Sequence, residues 1–113
     1  MGFVLGNIKG RSSLIKDNHF YDIETISNGS VSSDPSQILL SLDQLSDLYN
    51  TIDSFEPKGL VNDDDLQAPI TNSGNCFAVG LNYKKHAEES NMPVPEFPMI
   101  FAKYTTCIVG PFH

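Results

Sequence analysis

A histidine and a glutamate three residues apart are the pair in this sequence best suited to acid–base chemistry. His86 and Glu89 lie in the segment 82–89, which has the composition of a short helix, and this spacing places both side chains on one helical face. A carboxylate there orients the imidazole and raises its basicity, so that the pair can take a proton from water. Glu88 competes for the same role from an adjacent face. An exposed pair that stabilises the helix by about 0.3 kcal/mol has the same spacing, and both interpretations stay open.

A lysine ends the second of two apolar runs in the same part of the chain. Lys103 directly follows residues 99–102, and its compact ammonium group would suit the carboxylate of a substrate. A lone lysine at a strand end is more commonly a solvated terminus. The acidic run 62–65 resembles a fragment of a calcium loop, but it lacks the glycine and the distal glutamate of such loops and is interpreted as a solvated turn.

Two strands and a helix must position these residues. The apolar runs 77–81 and 99–102 have strand composition, and the helical segment 82–89 lies between them. Three prolines within 93–98 predict an extended crossing from the helix to the second strand. We therefore expect histidine, carboxylate and lysine at the ends of strands, where sites are usually built.

The N-terminal part predicts a small antiparallel meander. Residues 2–8, 12–15 and 20–23 are strand candidates, and the segments 9–11 and 16–18 between them have the composition of tight turns. A linker is expected over 66–75, ahead of the strand at 77.

One amphipathic helix is expected after the meander. Asp34 suits the N-cap, Pro35 the first helical position, and Gln37 completes a capping box. A single apolar stripe then recurs at steps of three and four residues and is interpreted as core packing. Its members are Ile38, Leu42, Leu45, Tyr49 and Ile52.

Composition excludes several classes of partner. The chain has 113 residues and a formal net charge of −7, and its basic residues cluster no further than the pair Lys84-Lys85. Nucleic acid and anionic membrane surfaces are therefore not expected to bind it. No apolar run reaches the roughly 20 residues of a transmembrane helix, and the N-terminus lacks the pattern of a signal peptide. Cys76 and Cys107 lie far apart and are expected to be free thiols in a cytoplasmic protein.

Residues 77–111 resemble the opening of the catalytic domain in the fumarylacetoacetate hydrolase family. The shared pattern is GxNYxxHxxE, a proline-rich crossing, FxK and a Gly-Pro turn. The matching residues are Gly80-Leu81-Asn82-Tyr83, His86, Glu89, Met92-Pro93-Val94-Pro95, Phe101, Lys103 and Gly110-Pro111.

The resemblance implies an α+β chain in two parts. Residues 1–70 would form a small N-terminal domain with the meander and the amphipathic helix. Residues 71–113 would be the incomplete start of a mostly-β catalytic domain, comprising its first strands and a lid helix. The family's metal ligands, a Glu-x-Glu pair and a later Asp, follow the Gly-Pro turn, and only Phe112 and His113 follow it here. No residue of this chain is therefore matched to a metal ligand.

The resemblance also implies roles for individual residues. His86 and Glu89 correspond to the pair that activates water or transfers a proton, and Lys103 corresponds to a contact with the oxygens of the substrate or its enolate. Asn82 and Tyr83 would support the lid helix and bind substrate. Family members use Mg, Mn or Ca to polarise 2-oxo acids, and they usually form homodimers.

Two hypotheses of function follow from the resemblance. In the first, the chain is the N-terminal part of an enzyme acting on 2-oxo or β-diketo acids by C–C bond hydrolysis, decarboxylation or isomerisation. In the second, it is a catalytically inactive, truncated interaction module that forms a homodimer or pairs with a longer relative.

Overall fold

The computed structural model describes residues 2–112 and contains two compact units. The first unit consists of the residues up to Ser73 together with those from Ile108 onwards, and the second is Gly74–Cys107. The division into domains 1–70 and 71–113 stays a prediction, because compactness alone does not test independent folding.

The first unit is built on a five-stranded antiparallel sheet with the strand order β4-β3-β2-β1-β5. The first three strands form the predicted meander. The strands are β1 (Val4–Ile8), β2 (Arg11–Lys16), β3 (His19–Asp22), β4 (Gly59–Leu60) and β5 (Leu66–Gln67).

Two tight turns fix the register of the meander. Lys9 and Gly10 have φ of 52° and 85°, and Asp17 and Asn18 have φ of 49° and 62°. Positive φ at both central residues is the property of the two-residue turns that match the twist of antiparallel strands. Glycine, asparagine and aspartate adopt this conformation with less strain than other residues, which favours Gly10, Asp17 and Asn18 at these positions, whereas Lys9 adopts it at some cost.

The described residues form three short α-helices, α1 (Ile23–Ile26) and α2 (Leu42–Asn50) in the first unit and α3 (Lys84–Glu89) in the second. The predicted start of the amphipathic helix at Asp34 is wrong, because the α-helix begins at Leu42 after a 3-10 turn over Ile38–Ser41. The Asp34 carboxylate instead accepts a hydrogen bond from the Ser36 backbone N–H at 2.8 Å, which closes a local turn.

The core of the first unit lies between its sheet and the helices α1 and α2. The predicted apolar stripe is only partly confirmed, because Leu45 is fully buried while the Leu42 side chain is 46% exposed. The change from a 3-10 turn to an α-helix near Leu42 alters the angle per residue, so one regular stripe does not run through both segments. The buried core residues are Leu14, Tyr21, Ile23, Ile26, Val31, Ile38, Leu45 and Ile52.

The linker predicted over 66–75 is wrong in its first two residues. Leu66 and Gln67 pair with Ile8 and Asn7 of β1 and so complete the sheet. The acidic run before them forms one 3-10 turn over Asp63–Asp65, most of it exposed, as the solvated-turn interpretation predicted.

The second unit contains an antiparallel pair of strands, β6 (Cys76–Gly80) and β7 (Met99–Lys103), with α3 in the connection between them. Both strands and the helix were predicted, although α3 begins at Lys84 rather than Asn82. Within residues 2–112, no helix is long and apolar enough to cross a bilayer.

Candidate active site

Helix α3 presents both predicted acid–base residues to solvent. His86 and Glu89 are exposed and lie three residues apart, while Ala87 between them is 1% exposed and is the residue through which the helix packs. The geometry is therefore that of an open pair able to meet a ligand from outside.

A residue with positive φ lies on either side of α3. Leu81, between β6 and the helix, has a φ of 49°, which is rare and strained for a bulky residue. Asn91, after the helix, has a φ of 52°, and the Met92 N–H donates to the Ala87 carbonyl at 2.9 Å. This 6→1 bond and a left-handed residue define the Schellman end of a helix.

Lys103 lies at one end of the two-stranded sheet, and the connection to α3 begins at the opposite end. It pairs with Cys76, whereas the chain leaves β6 towards α3 at Gly80, which pairs with Met99. Four residues of strand separate the two ends by about 13 Å. The expectation that the lysine and the helix are attached at strand ends is confirmed, but the antiparallel register puts them at opposite ends.

The Lys103 ammonium group contacts an aromatic ring of its own strand. Its Nζ lies 5.3 Å from the centroid of the Phe101 ring, within the range of a cation–π interaction. The group remains exposed, so an anionic ligand can still reach it.

An open cleft of about 220 Å³ lies beside the connection to α3. It is bounded by Val79–Asn82 and by the proline-rich segment Val94–Pro98. Asn82 lines this cleft, whereas the side chain of Tyr83 is not among its lining residues and is 74% exposed. Glu96 also lines it and was missed by sequence reasoning, although a carboxylate between two prolines of the crossing was a visible signal.

The described residues do not fit a divalent metal ion. Within residues 2–112, no three His, Cys, Asp or Glu side chains are grouped as metal ligands. The acidic turn at Asp63–Asp65 does not change this, because one of its carboxylates, Asp65, is paired with Lys9 at 3.0 Å. No catalytic step is therefore assigned to a metal held by these residues.

A buried carboxylate of the first unit is held in an ion pair with an arginine. A hydrogen-bonded ion pair with Arg11 holds the pKa of the Asp22 carboxyl well below its usual range, with further hydrogen bonds from Thr25. The same contacts, chiefly with Asp22 and then with Glu24, raise the pKa of Arg11. These groups join strands and a helix to one another, so we assign them to folding.

Comparison with known proteins shows what the chain is similar to. No protein-family model matches the chain. The chain is 47% identical over 45 residues to the mitochondrial oxaloacetate tautomerase FAHD2A of Bos taurus, covering 40% of this chain and 14% of that protein. It is 50% identical over 46 residues to the mitochondrial oxaloacetate tautomerase fahd2 of Xenopus laevis, covering 41% and 14%.

A longer match and a solved structure extend this similarity. The chain is 35% identical over 74 residues to a fumarylacetoacetate hydrolase domain-containing protein 2 homolog of Dictyostelium discoideum, covering 65% of this chain and 24% of that protein. A crystal structure from Mycobacterium smegmatis, provisionally designated HpcE, matches 95% of this chain and 38% of that chain with a TM-score of 0.74 and 29% identity.

These similarities confirm the resemblance to the fumarylacetoacetate hydrolase family that the motif predicted. The chain's mixed α and β fold is the fold of the solved relative over 95% of its length. The matches span 14% to 24% of the curated relatives described above.

Proposed function

We propose that this chain supplies the lid helix and the substrate lysine of an enzyme acting on a small 2-oxo or β-diketo acid. The observation that carries the proposal is the order of the secondary-structure elements in the second unit. A strand, a helix bearing His86 and Glu89, and a strand ending in Lys103 follow one another in the order of the family motif.

Each side chain would have a separate task. The His86 imidazole would accept a proton from substrate or water, and the Glu89 carboxylate, one helical turn away, would orient the ring. The Lys103 ammonium would hold a substrate carboxylate or the enolate oxygen. Asn82 and Tyr83, at the start of α3, would position the helix over the substrate. Since Lys103 and the start of this helix lie at opposite ends of the sheet, α3 would have to close over the substrate.

Tautomerisation is the reaction we favour among the three open to the family. The relatives that are 47% and 50% identical are named oxaloacetate tautomerases. In such a reaction a proton leaves the carbon beside the 2-oxo group and another is added to the oxo oxygen, so one base that returns its proton is sufficient. The family's divalent ion, Mg, Mn or Ca, is assigned to no residue of this chain, because the described residues do not supply its ligands.

The test is the keto–enol interconversion of oxaloacetate, followed by ultraviolet absorbance with Mg²⁺ or Mn²⁺ present. We expect His86→Ala to lower kcat by about 10²-fold or more and Glu89→Gln to lower it less. Lys85→Ala, an exposed change on the same helix, is the matched control and is expected to retain activity. Turnover that His86→Ala does not diminish would contradict the assigned role.

Calorimetry with Mg²⁺ and Mn²⁺ tests the chain without a substrate. Saturable binding at micromolar to millimolar concentrations would show that oxygen ligands are assembled within this chain or across a dimer. Absence of binding would mean that His86, Glu89 and Lys103 are half of a site, and that the chain alone does not catalyse the reaction.

The alternative is a catalytically inactive interaction module that forms a homodimer or pairs with a longer relative. One observation favours it: most of the exposed large apolar side chains lie in the 34-residue second unit. They are Phe77, Val79, Tyr83, Met92, Val94, Phe97, Met99, Ile100, Phe101 and Tyr104. Association without metal binding or turnover would select this alternative. A cytoplasmic location also remains a prediction, since the names of two relatives place them in mitochondria.

A further inference from the structure

Two buried polar side chains lie directly opposite each other in the sheet of the first unit. Asn7 of β1 pairs with Ser12 of β2, and the two residues are 1% and 0% exposed. Opposed residues of an antiparallel pair leave the sheet on the same face, with their Cβ atoms about 5 Å apart. That face also carries Leu14, two residues after Ser12, so both polar groups lie on the core side of the sheet.

One hydrogen bond fixes the orientation of the Asn7 amide. Its Nδ2 donates to the Ala68 carbonyl at 2.8 Å. Because a carbonyl oxygen only accepts, the amide nitrogen and not the amide oxygen must face Ala68. The Asn7 Oδ1 therefore needs a donor elsewhere.

Two oxygens of this pair are buried without a protein partner. Within residues 2–112, no protein group hydrogen-bonds to Asn7 Oδ1 or to Ser12 Oγ, and neither atom is exposed to solvent. The backbone of Ser12 is satisfied separately, since its N–H donates to the Ser33 carbonyl at 2.7 Å. Buried polar atoms are nearly always hydrogen-bonded, so we expect a bound molecule to supply the partner.

That molecule must be small and able to donate. Asn7 Oδ1 only accepts, whereas the Ser12 hydroxyl both donates and accepts. Water meets both requirements, because one of its O–H groups can donate to Asn7 Oδ1 while its oxygen accepts the Ser12 O–H. Internal waters have about two to four such partners. We propose that one water molecule is bound inside the first unit between Asn7 Oδ1 and Ser12 Oγ.

The chemistry of the pair favours water over a metal ion. A hard cation takes about six or more oxygen ligands, usually with carboxylates among them. The buried carboxylate of Asp22 is opposite Ser13, whose side chain leaves the other face of the sheet from Ser12. The Ser13 hydroxyl also lacks a partner among the described residues, but for the same reason it is not part of this site.

The bound water gives Asn7 a role in joining three segments of the chain. Through Nδ2 the Asn7 side chain binds the residue that follows β5, and through the water its Oδ1 binds β2. The water thereby holds the amide in the orientation that Ala68 requires. This site needs no catalytic activity, so it stands apart from the roles proposed for His86 and Glu89.

A high-resolution crystal structure of the unsubstituted chain tests the site directly. We expect a water molecule at about 2.7–3.2 Å from both Asn7 Oδ1 and Ser12 Oγ. A direct hydrogen bond between these two atoms, a metal ion in this position, or no ordered atom there would overturn the proposal. The measurement requires no variant and does not depend on a substituted chain folding.

A double-mutant cycle in urea gives the matching test in solution. Ser12→Ala and Asn7→Ala each leave the partner oxygen unsatisfied, and the double variant removes both oxygens. We therefore expect Ser12→Ala to raise the unfolding equilibrium constant about fivefold less in the Asn7→Ala background than in the unsubstituted chain. Ser13→Ala, the same change on the other face of β2, is the control and should combine with Asn7→Ala multiplicatively to within about twofold. Multiplicative effects in the Ser12 cycle, or equal coupling in both cycles, would contradict the proposal.

Discussion

Arg11 binds Asp22 through two hydrogen bonds, from Nε to Oδ2 at 2.6 Å and from Nη2 to Oδ1 at 3.0 Å. The Asp22 side chain is 2% exposed and also accepts bonds from the backbone N–H and hydroxyl of Thr25. Since Asp22 is the N-cap of α1 and Arg11 lies in β2, one buried carboxylate joins the meander to the first helix.

Loss of the arginine should leave this carboxylate buried with too few donors. We expect Arg11→Ala to lower the free energy of unfolding by about 2 kcal/mol, less than for a fully enclosed pair, because Arg11 is itself half-exposed. Urea unfolding measures the change. Lys9→Ala removes an exposed pair with Asp65 and should cost less than about 1 kcal/mol. Equal losses in the two variants would contradict the role given to Asp22.

The same pair predicts a loss of stability in acid. Folding lowers the pKa of Asp22, chiefly through the hydrogen bonds from Arg11, so the folded state binds this proton less readily than the unfolded state. The stabilisation is fully present above the unfolded pKa of about 4 and is lost as the pH falls from there towards the lower folded pKa. In Asp22→Asn, the free energy of unfolding measured in urea should depend less on pH between about pH 5 and pH 2. Asp63→Asn, at an exposed position, should keep the slope of the unsubstituted protein.

Helix α2 offers a matched pair of leucines that tests its orientation. Leu45 is fully buried, whereas Leu42, one turn earlier, is 46% exposed. We expect Leu45→Ala to lower the free energy of unfolding by about 3 kcal/mol through lost burial and a cavity. Leu42→Ala should change it by about 0.5 kcal/mol or less. Comparable losses would instead support the continuous apolar stripe that the sequence predicted.

The parts of the fold that depend on residues close together in the sequence were predictable. Two turns built on Lys9-Gly10 and Asp17-Asn18 gave the meander, because positive φ restricts the residue types that can form them. The pairing of Leu66 with Ile8 was not predictable, since it joins residues 58 positions apart. The start of α2 was missed because the Asp34 carboxylate satisfies a turn as well as it would cap a helix.

The order of the site residues along the chain was predictable from the sequence, but their arrangement in space was less so. The motif gave the strand, the helix carrying His86, and the strand ending in Lys103. The antiparallel register, which pairs Lys103 with Cys76 rather than with the end of β6 that leads to α3, was not inferred. Glu96 was missed because it matches no motif position, although its place between two prolines of the crossing was a signal in the sequence.

The C-terminal end of α3 should depend on the residue that turns the chain there. Asn91 has a φ of 52°, which lies in the left-handed region. Alanine adopts this conformation less readily than asparagine, so Asn91→Ala should destabilise this end of the helix by about 1 kcal/mol. Asn91→Gly should be neutral or stabilising. The measurement is hydrogen exchange of the Met92 amide, which bonds to Ala87 and should exchange about fivefold faster in Asn91→Ala. Ser90→Ala, at a φ of −86°, is the control and should leave the rate nearly unchanged. If Asn91→Gly exchanged faster than Asn91→Ala, backbone strain would not be what holds the end of the helix.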